Sequence, residues 1–210
     1  MPEYLLRCFA ESGNSYKPAI LLELAGADWA PVFVDYFHGE TREAEYRALN
    51  VMGEAPVLEH GDVTLSQSGV ILDYLADALG AFGAETPAER REIWRWILFD
   101  NHKLTSYTAT LRFMRAIAKT GETPVTDFLH KRAEAAYAVL DAHLAGKTFV
   151  VGERPTIADL SLSAYLFFGD EIGVPFEPYA NIRAWLERIR SLPGWKHPYD
   201  LMPREKPAAA

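Results

Sequence analysis

A chain of 210 residues can hold one large domain or two small ones, and 49% apolar with 24% charged residues is the balance of a folded globular protein. A net charge of -8 argues against nucleic acid as a partner, because phosphate binding needs a basic face. The longest apolar runs fall short of the roughly 20 residues that span a bilayer, and Met1-Pro2-Glu3-Tyr4 has no basic region leading into a long apolar stretch, so a cytoplasmic location without membrane association is expected. One cysteine, Cys8, excludes an internal disulfide. It lies in "YLLRCF", which reads as a buried strand, and is expected to be a small hydrophobe rather than a nucleophile. No metal-ligand cluster is visible.

The first half alternates strand and helix signals. Tyr4 to Phe9 reads as a strand. Ser12 to Lys17 reads as a polar loop, with Pro18 in the first turn of a helix ending near Gly26. Ala30 to Tyr36 is a second strand, and Thr41 opens an amphipathic helix through Ala44, Leu49 and Val51. "PVLEHGDVTLS" is two short strands joined at His60-Gly61-Asp62. "SQSGVILDYLADALG" is a helix with Val70, Ile71, Tyr74, Leu75 and Leu79 on one face. A strand-helix-strand unit requires a parallel pair with a right-handed crossover, and the hairpin adds antiparallel strands. The simplest packing is a mixed four-stranded sheet with helices on both faces, an α/β thioredoxin-like domain over residues 1–79.

"GAFGAE", residues 80–85, reads as a linker, and the β signal then nearly vanishes. Thr86-Pro87-Ala88-Glu89 is a capping box with proline at the first helical position. Its helix carries Ile93, Trp96, Ile97 and Leu104 and is expected to run past Thr110. Thr123-Pro124 opens another, with Val125, Leu129, Ala133, Ala136, Leu140 and Leu144 inward and Gly146 at its end. Thr156 and Asp159 form a structural cap, and "NIRAWLERIRSL" buries Ile182, Trp185, Leu186 and Ile189. Residues 86–210 therefore read as an all-α helical domain, with a frayed tail, "KPAAA".

Three stretches, in order and well separated, make this arrangement specific. "GEAPVLEHGDVTLSQSGVILDYLA", Gly53 to Ala76, resembles the glutathione-site segment of the cytosolic glutathione transferases, with a proline after a small residue, a hairpin, then Gln and Ser at a helix start. "FVVGERPTIADLSLSAYL" resembles the buried capping-box helix of their second domain, and "NIRAWLERIRSLPGWK" their C-terminal helix. The resemblance covers nearly the whole chain and implies a cytosolic, homodimeric transferase acting in detoxification, with glutathione as co-substrate and a small electrophile as partner.

It also implies roles for named residues. Ala55 would grip the cysteinyl unit through its backbone, ahead of a cis Pro56. Gln67 and Ser68, at a helix N-terminus, would hold the γ-glutamyl end, where free N–H groups favour an anion. The thiol activator would lie in "AESGNSYK": Ser12 and Asn14 on a bacterial alignment, Ser15 or Ser12 on a serine-type one. The free thiol titrates near 8.5, and lowering it by about two units takes about 2.7 kcal/mol. Hydrogen bonds to charged groups contribute about 1.5–3 kcal/mol, so one or two donors suffice. Glu54, where the family often carries a basic or amide residue, does not suit an acidic tripeptide. His38, Arg42 and Lys17 are the candidates for the glycyl carboxylate, and a solvated loop histidine is the other reading of His38. Asp100 resembles the acid that reaches the γ-glutamyl ammonium across a dimer, with an intrachain bond to His102 or Lys103 as the alternative. Tyr107, Leu111, Phe113 and Trp195 are candidate linings for the second substrate.

Two other functions remain open on the sequence: a glutathione-dependent disulfide or peroxide reductase, which the asparagine loop favours, and a non-catalytic binding protein of the same fold, which Glu54 favours.

Overall fold

Alternation in Tyr4–Cys8 makes strand β1: Tyr4, Leu6 and Cys8 are buried while Leu5 and Arg7 are only partly covered. In the computed structural model, which describes residues 2–206, β1 is an inner strand. The end of the "KPAAA" tail, from residue 207, lies outside the described residues. Strand β2 (Trp29–Phe33) pairs parallel to β1. Strand β3 (Val57–His60) pairs antiparallel to β1, and β4 (Val63–Ser66) antiparallel to β3. The sheet order β2-β1-β3-β4 is the mixed four-stranded thioredoxin-like arrangement expected. Gly61, with φ +56°, makes the hairpin turn, a conformation that suits glycine.

Helix α1 (Gly13–Leu24) packs against α3 (Ser68–Leu79), and between them Ile20, Leu21, Leu22, Ile71, Leu72 and Leu75 are buried. Each such burial contributes about 1.5–3 kcal/mol. A second cluster joins Phe9, Val34, Tyr46 and Val57, with Ala55 packed against it. Tyr46 comes from the short helix α2 (Ala44–Leu49).

Four local expectations are corrected. Helix α1 begins one turn early, because Ser12 caps it: Ser12 Oγ accepts from the Ser15 N–H at 3.1 Å. The segment read as a loop is thus the first turn of α1, and Pro18 lies inside the helix, removing the N–H that would meet the Asn14 carbonyl. Strand β2 stops at Phe33, since two 3₁₀ turns, Tyr36–His38 and Glu40–Arg42, precede α2. In α3 the inward stripe is Ile71, Leu72, Leu75 and Ala76, and Val70 is exposed. Val125, in the first turn of its helix, is also exposed.

The second half is helical. Thr86 caps α4 (Pro87–Phe99), which continues through a π turn at Asp100–Leu104 into α5 (Thr105–Arg112) and a second π turn at Phe113–Ile117. Helix α6 (Pro124–Leu144) follows, then α7 (Ile157–Ser163), α8 (Gly169–Ile172) and α9 (Ala180–Arg190). Asp159 is wholly buried and accepts from the Thr156 and Val150 N–H groups and from Trp185 Nε1, each at 2.8 Å. It therefore joins the α7 cap to α9, the structural role expected for it.

Two compact units result: one runs to Gly83 and takes in the chain from Leu192 onward, and the other is Ala84–Ser191. The helical unit is therefore shorter than the 86–210 expected from the sequence. Pro193 and Gly194 end α9 and turn the chain, and α10 (Pro198–Leu201) packs on α1. Tyr16 Oη donates to the Lys196 carbonyl at 2.7 Å, Lys196 Nζ lies 2.7 Å from Glu23, and the Ala10 N–H donates to the Pro203 carbonyl at 2.9 Å. Helical periodicity reports which face is buried, not which unit buries it.

Candidate functional site

Strand register assembles the site. Arg7 pairs with Val57, and Val57 with Ser66. The exit of β1, the entry of β3 and the exit of β4 therefore share one end of the sheet. Beyond that row lie Ser12 and Asn14 from the start of α1, Ala55-Pro56 ahead of β3, and Gln67-Ser68 at the start of α3.

The Ala55-Pro56 bond is cis, as the resemblance implied. The loop before it is built by residues that sequence reading passed over. The Glu54 carbonyl accepts from Asn50 Nδ2 at 2.7 Å and from Tyr46 Oη at 3.1 Å. Asn50 Oδ1 accepts the Met52 N–H at 3.1 Å. Asn50 and Tyr46 are buried, and burial pushes the Tyr46 phenol up to about 12, so it stays a donor. Gly53 has φ +64°, and a Cβ there would lie 2.8 Å from the Thr41 carbonyl oxygen, so glycine is required. The turn string "NVMG" was the available signal for Asn50. Among the described residues no hydrogen bond ends on the Ala55 N–H or C=O, which leaves that backbone free for a ligand.

Gln67 sits at φ +69°, a backbone region that non-glycine residues rarely occupy and that recurs at ligand clamps. Its Nε2 donates to Glu54 Oε2 at 3.0 Å. Ser68 is buried in the first turn of α3.

At α1, Ser12 is nearly buried and its Oγ accepts from Ser15, which leaves the hydroxyl proton to donate elsewhere. Asn14 is half-buried in the same turn. Ser15 is wholly buried, its N–H is spent on the Ser12 cap, and its Oγ has no hydrogen-bond partner among the described residues. Lys17 is also wholly buried, which removes it as a surface group for the glycyl carboxylate. The His38 ring is 84% exposed and lies 2.6 Å from Asp35, and Arg42 is exposed nearby in sequence.

Asp100 is corrected. It is wholly buried in the helical unit, where Oδ1 accepts from Thr105 Oγ1 at 2.7 Å and Oδ2 from Ser161 Oγ at 2.6 Å. Hydroxyls from the π turn's end and from α7 thus hold both of its oxygens inside the helical unit. Of the candidate linings, Leu111 is wholly buried core. Tyr107 borders a cavity of about 210 Å³ with Lys103 and Arg132. Arg132 donates to its phenol, which with Lys103 lowers the pKa. Phe113 is partly exposed and Trp195 belongs to the other unit.

Cys8 takes no part. It is wholly buried, and burial pushes its thiol from an ordinary value near 9 up to about 12. We expect the native protein to leave a thiol-disulfide reagent unreduced at pH 8 and to react within minutes once unfolded; rapid native reaction would contradict this burial. The raised folded pKa also fixes a sign: the stability tied to Cys8 is fully present below the unfolded pKa and is lost as pH rises toward about 12.

No helix among the described residues is long and apolar enough to cross a membrane, and none of their His, Cys, Asp or Glu groups of three or more could hold a metal.

Residues 6–77 match the glutathione S-transferase N-terminal domain, and residues 103–193 the C-terminal domain. Glutathione S-transferase F14 of Arabidopsis thaliana is 29% identical over 96% of this chain and 87% of its own length. A glutathione S-transferase from Pseudomonas fluorescens superposes with a TM-score of 0.89 at 32% identity, covering 94% of this chain and 100% of its own. A Burkholderia graminis glutathione transferase, solved with two glutathione molecules per subunit, has a TM-score of 0.83 at 22% identity over 92% of this chain and 85% of its own. Fold, site geometry and these likenesses agree, and the chain belongs to the glutathione S-transferase family.

Proposed function

We propose that this protein takes glutathione as co-substrate, holds its sulfur as thiolate at the first turn of α1, and presents it to a small electrophile, acting as a cytoplasmic homodimer. The observation that carries this is the register-fixed meeting of Ser12 and Asn14, Ala55-Pro56, and Gln67-Ser68 at one end of the sheet. Glutathione bound to the Burkholderia graminis relative supports the choice of ligand.

The Ala55 backbone is free to pair with the cysteinyl unit. The sulfur then lies against the N-terminal turn of α1, whose field favours negative charge. The Ser12 hydroxyl and the Asn14 amide donate to the thiolate. Together they supply the roughly 2.7 kcal/mol that a shift of two pKa units demands. The thiolate attacks the electrophilic carbon, a carbon–sulfur bond forms, and the leaving group departs with its electron pair. No covalent bond to the protein is needed.

The test is the pH–rate profile of conjugation with an activated aryl halide, for the wild type, Ser12→Ala and Asn14→Ala. The wild-type midpoint is expected near pH 6.5, about two units below the free thiol. Each variant should raise it by about one unit and so lower kcat/KM at pH 6.5 by about fivefold, through the smaller thiolate fraction. Ser12→Ala also loses a helix cap, at about 1 kcal/mol of stability. Asn14 is not the cap, so its variant separates the two effects. Unmoved profiles in both variants would reject the assignment, and turnover of a glutathione mixed disulfide but not the aryl halide would favour the reductase reading.

A further inference from the structure

Glu54 is the residue that an acidic tripeptide should not tolerate, yet the structure builds it into the site. Its carbonyl is clamped by Asn50 and Tyr46, which fixes the base of the side chain. Its Oε2 accepts from Gln67 Nε2 at 3.0 Å, which turns the carboxylate toward the start of α3. Among the described residues no cation pairs with Glu54, and its Oε1 carries no hydrogen bond. An exposed acid without a counter-ion, tied to the residue that opens α3, is suited to receive a cation from outside.

We infer that Glu54 accepts the α-ammonium of the γ-glutamyl unit, an assignment that rests on the glutathione reading above. That unit ends in an α-amino acid, whose ammonium and carboxylate sit on one carbon. The carboxylate suits the first free N–H groups of α3 and the Ser68 hydroxyl. The ammonium then falls beside them and needs an acid. Gln67 is neutral. Asp100 is enclosed in the helical unit with Thr105 and Ser161 on its oxygens. Glu54 is the acid joined directly to Gln67. Glu54, Gln67 and Ser68 thus form a receptor for a zwitterion rather than for a plain anion. The residue that appeared to repel the glycyl carboxylate instead faces the opposite end of the tripeptide, where charge favours it.

The experiment compares dissociation constants of glutathione and of glutaryl-cysteinyl-glycine, which carries hydrogen in place of the α-ammonium, for the wild type and Glu54→Gln. Calorimetry supplies the constants, and melting temperatures check that both proteins are folded. Glutamine keeps the length of the side chain and its bond to Gln67 while removing the charge. The wild type is expected to prefer glutathione by about 10–100-fold, the range of a hydrogen bond to a charged group. Glu54→Gln should bind the two ligands within about threefold of each other, and the analogue should bind both proteins alike. The assignment is overturned if Glu54→Gln keeps the full preference, if it weakens both ligands equally, or if the wild type shows no preference. Wild type that binds neither ligand brings down the glutathione reading along with it. Glutathione binding with an intact preference in Glu54→Gln brings down the role of Glu54 alone.

Discussion

Asp159→Ala should lower stability by about 3–5 kcal/mol, the range for breaking a buried charged network. The Asp159 carboxylate is enclosed, and four donors end on it: the N–H groups of Val150 and Thr156, Trp185 Nε1, and Thr156 Oγ1 at 3.1 Å. Alanine leaves three buried N–H groups without an acceptor, each costing about 1–3 kcal/mol before relaxation. It also unlinks the start of α7 from α9 and from the segment at Val150. Asparagine restores one acceptor but turns an amide N–H₂ on a donor, so Asp159→Asn should fall between the two. Urea unfolding checks this: the midpoint shifts and the slope holds. A loss under about 1 kcal/mol would mean that the donors find other partners.

The second large effect is expected at Arg112, whose side chain is 2% exposed. Its Nε donates to Glu171 Oε2 at 2.8 Å, its Nη2 lies 2.7 Å from the same oxygen, and its guanidinium carbon is 3.7 Å from the centre of the Phe168 ring. Arg112→Ala removes an ion pair, a cation–π contact and the packing of a long stem, at a cost of about 3 kcal/mol. Glu171 keeps some access to water, which holds the loss at the low end of the buried-pair range. The pair's net worth is smaller than either truncation suggests, because two ions had to leave water. Arg112→Met with Glu171→Gln should therefore recover at least half of the loss, read in the same unfolding experiment. If the double variant is as unstable as Arg112→Ala, the ion pair and the cation–π contact rather than packing of the stem dominate.

Neither effect could be sized from the sequence. Thr156 and Asp159 declared a helix cap through their spacing, but Val150 and Trp185 reach Asp159 only because α9 folds back on α7. Arg112 looked like one more charge on a long helix. Its burial follows from α8 and the 3₁₀ turn at Tyr165–Phe168 closing over it.

At the site the division is similar. The Gln67-Ser68 helix start was legible because cap chemistry is local, and cis Pro56 was legible only through the resemblance of the segment Gly53 to Ala76. Ser12 and Asn14 were found as residue types, but as loop residues, because Pro18 drew the helix start too late and the Ser12 cap was overlooked as a start signal. Asp100 was misplaced because an isolated acid on a helix shows that it needs a partner, not where the partner is. Asn50 and Tyr46, which hold the Glu54 carbonyl, were missed, since hydrogen bonds across a folded loop leave no period in the chain.

The sequence by itself determined the order of strands and helices, the mixed sheet, the helical second half and the buried Cys8, because apolar periodicity, caps and turn residues act over a few neighbours, and its three motif stretches carried the resemblance to the family. Only the tertiary structure decided that the chain from Leu192 packs on the first unit, that Ser15 and Lys17 are enclosed, that Asp100 is spent inside the helical unit, and that Glu54 turns toward Gln67. Each of those outcomes depends on which distant surfaces meet, and side-chain satisfaction is settled only when they do.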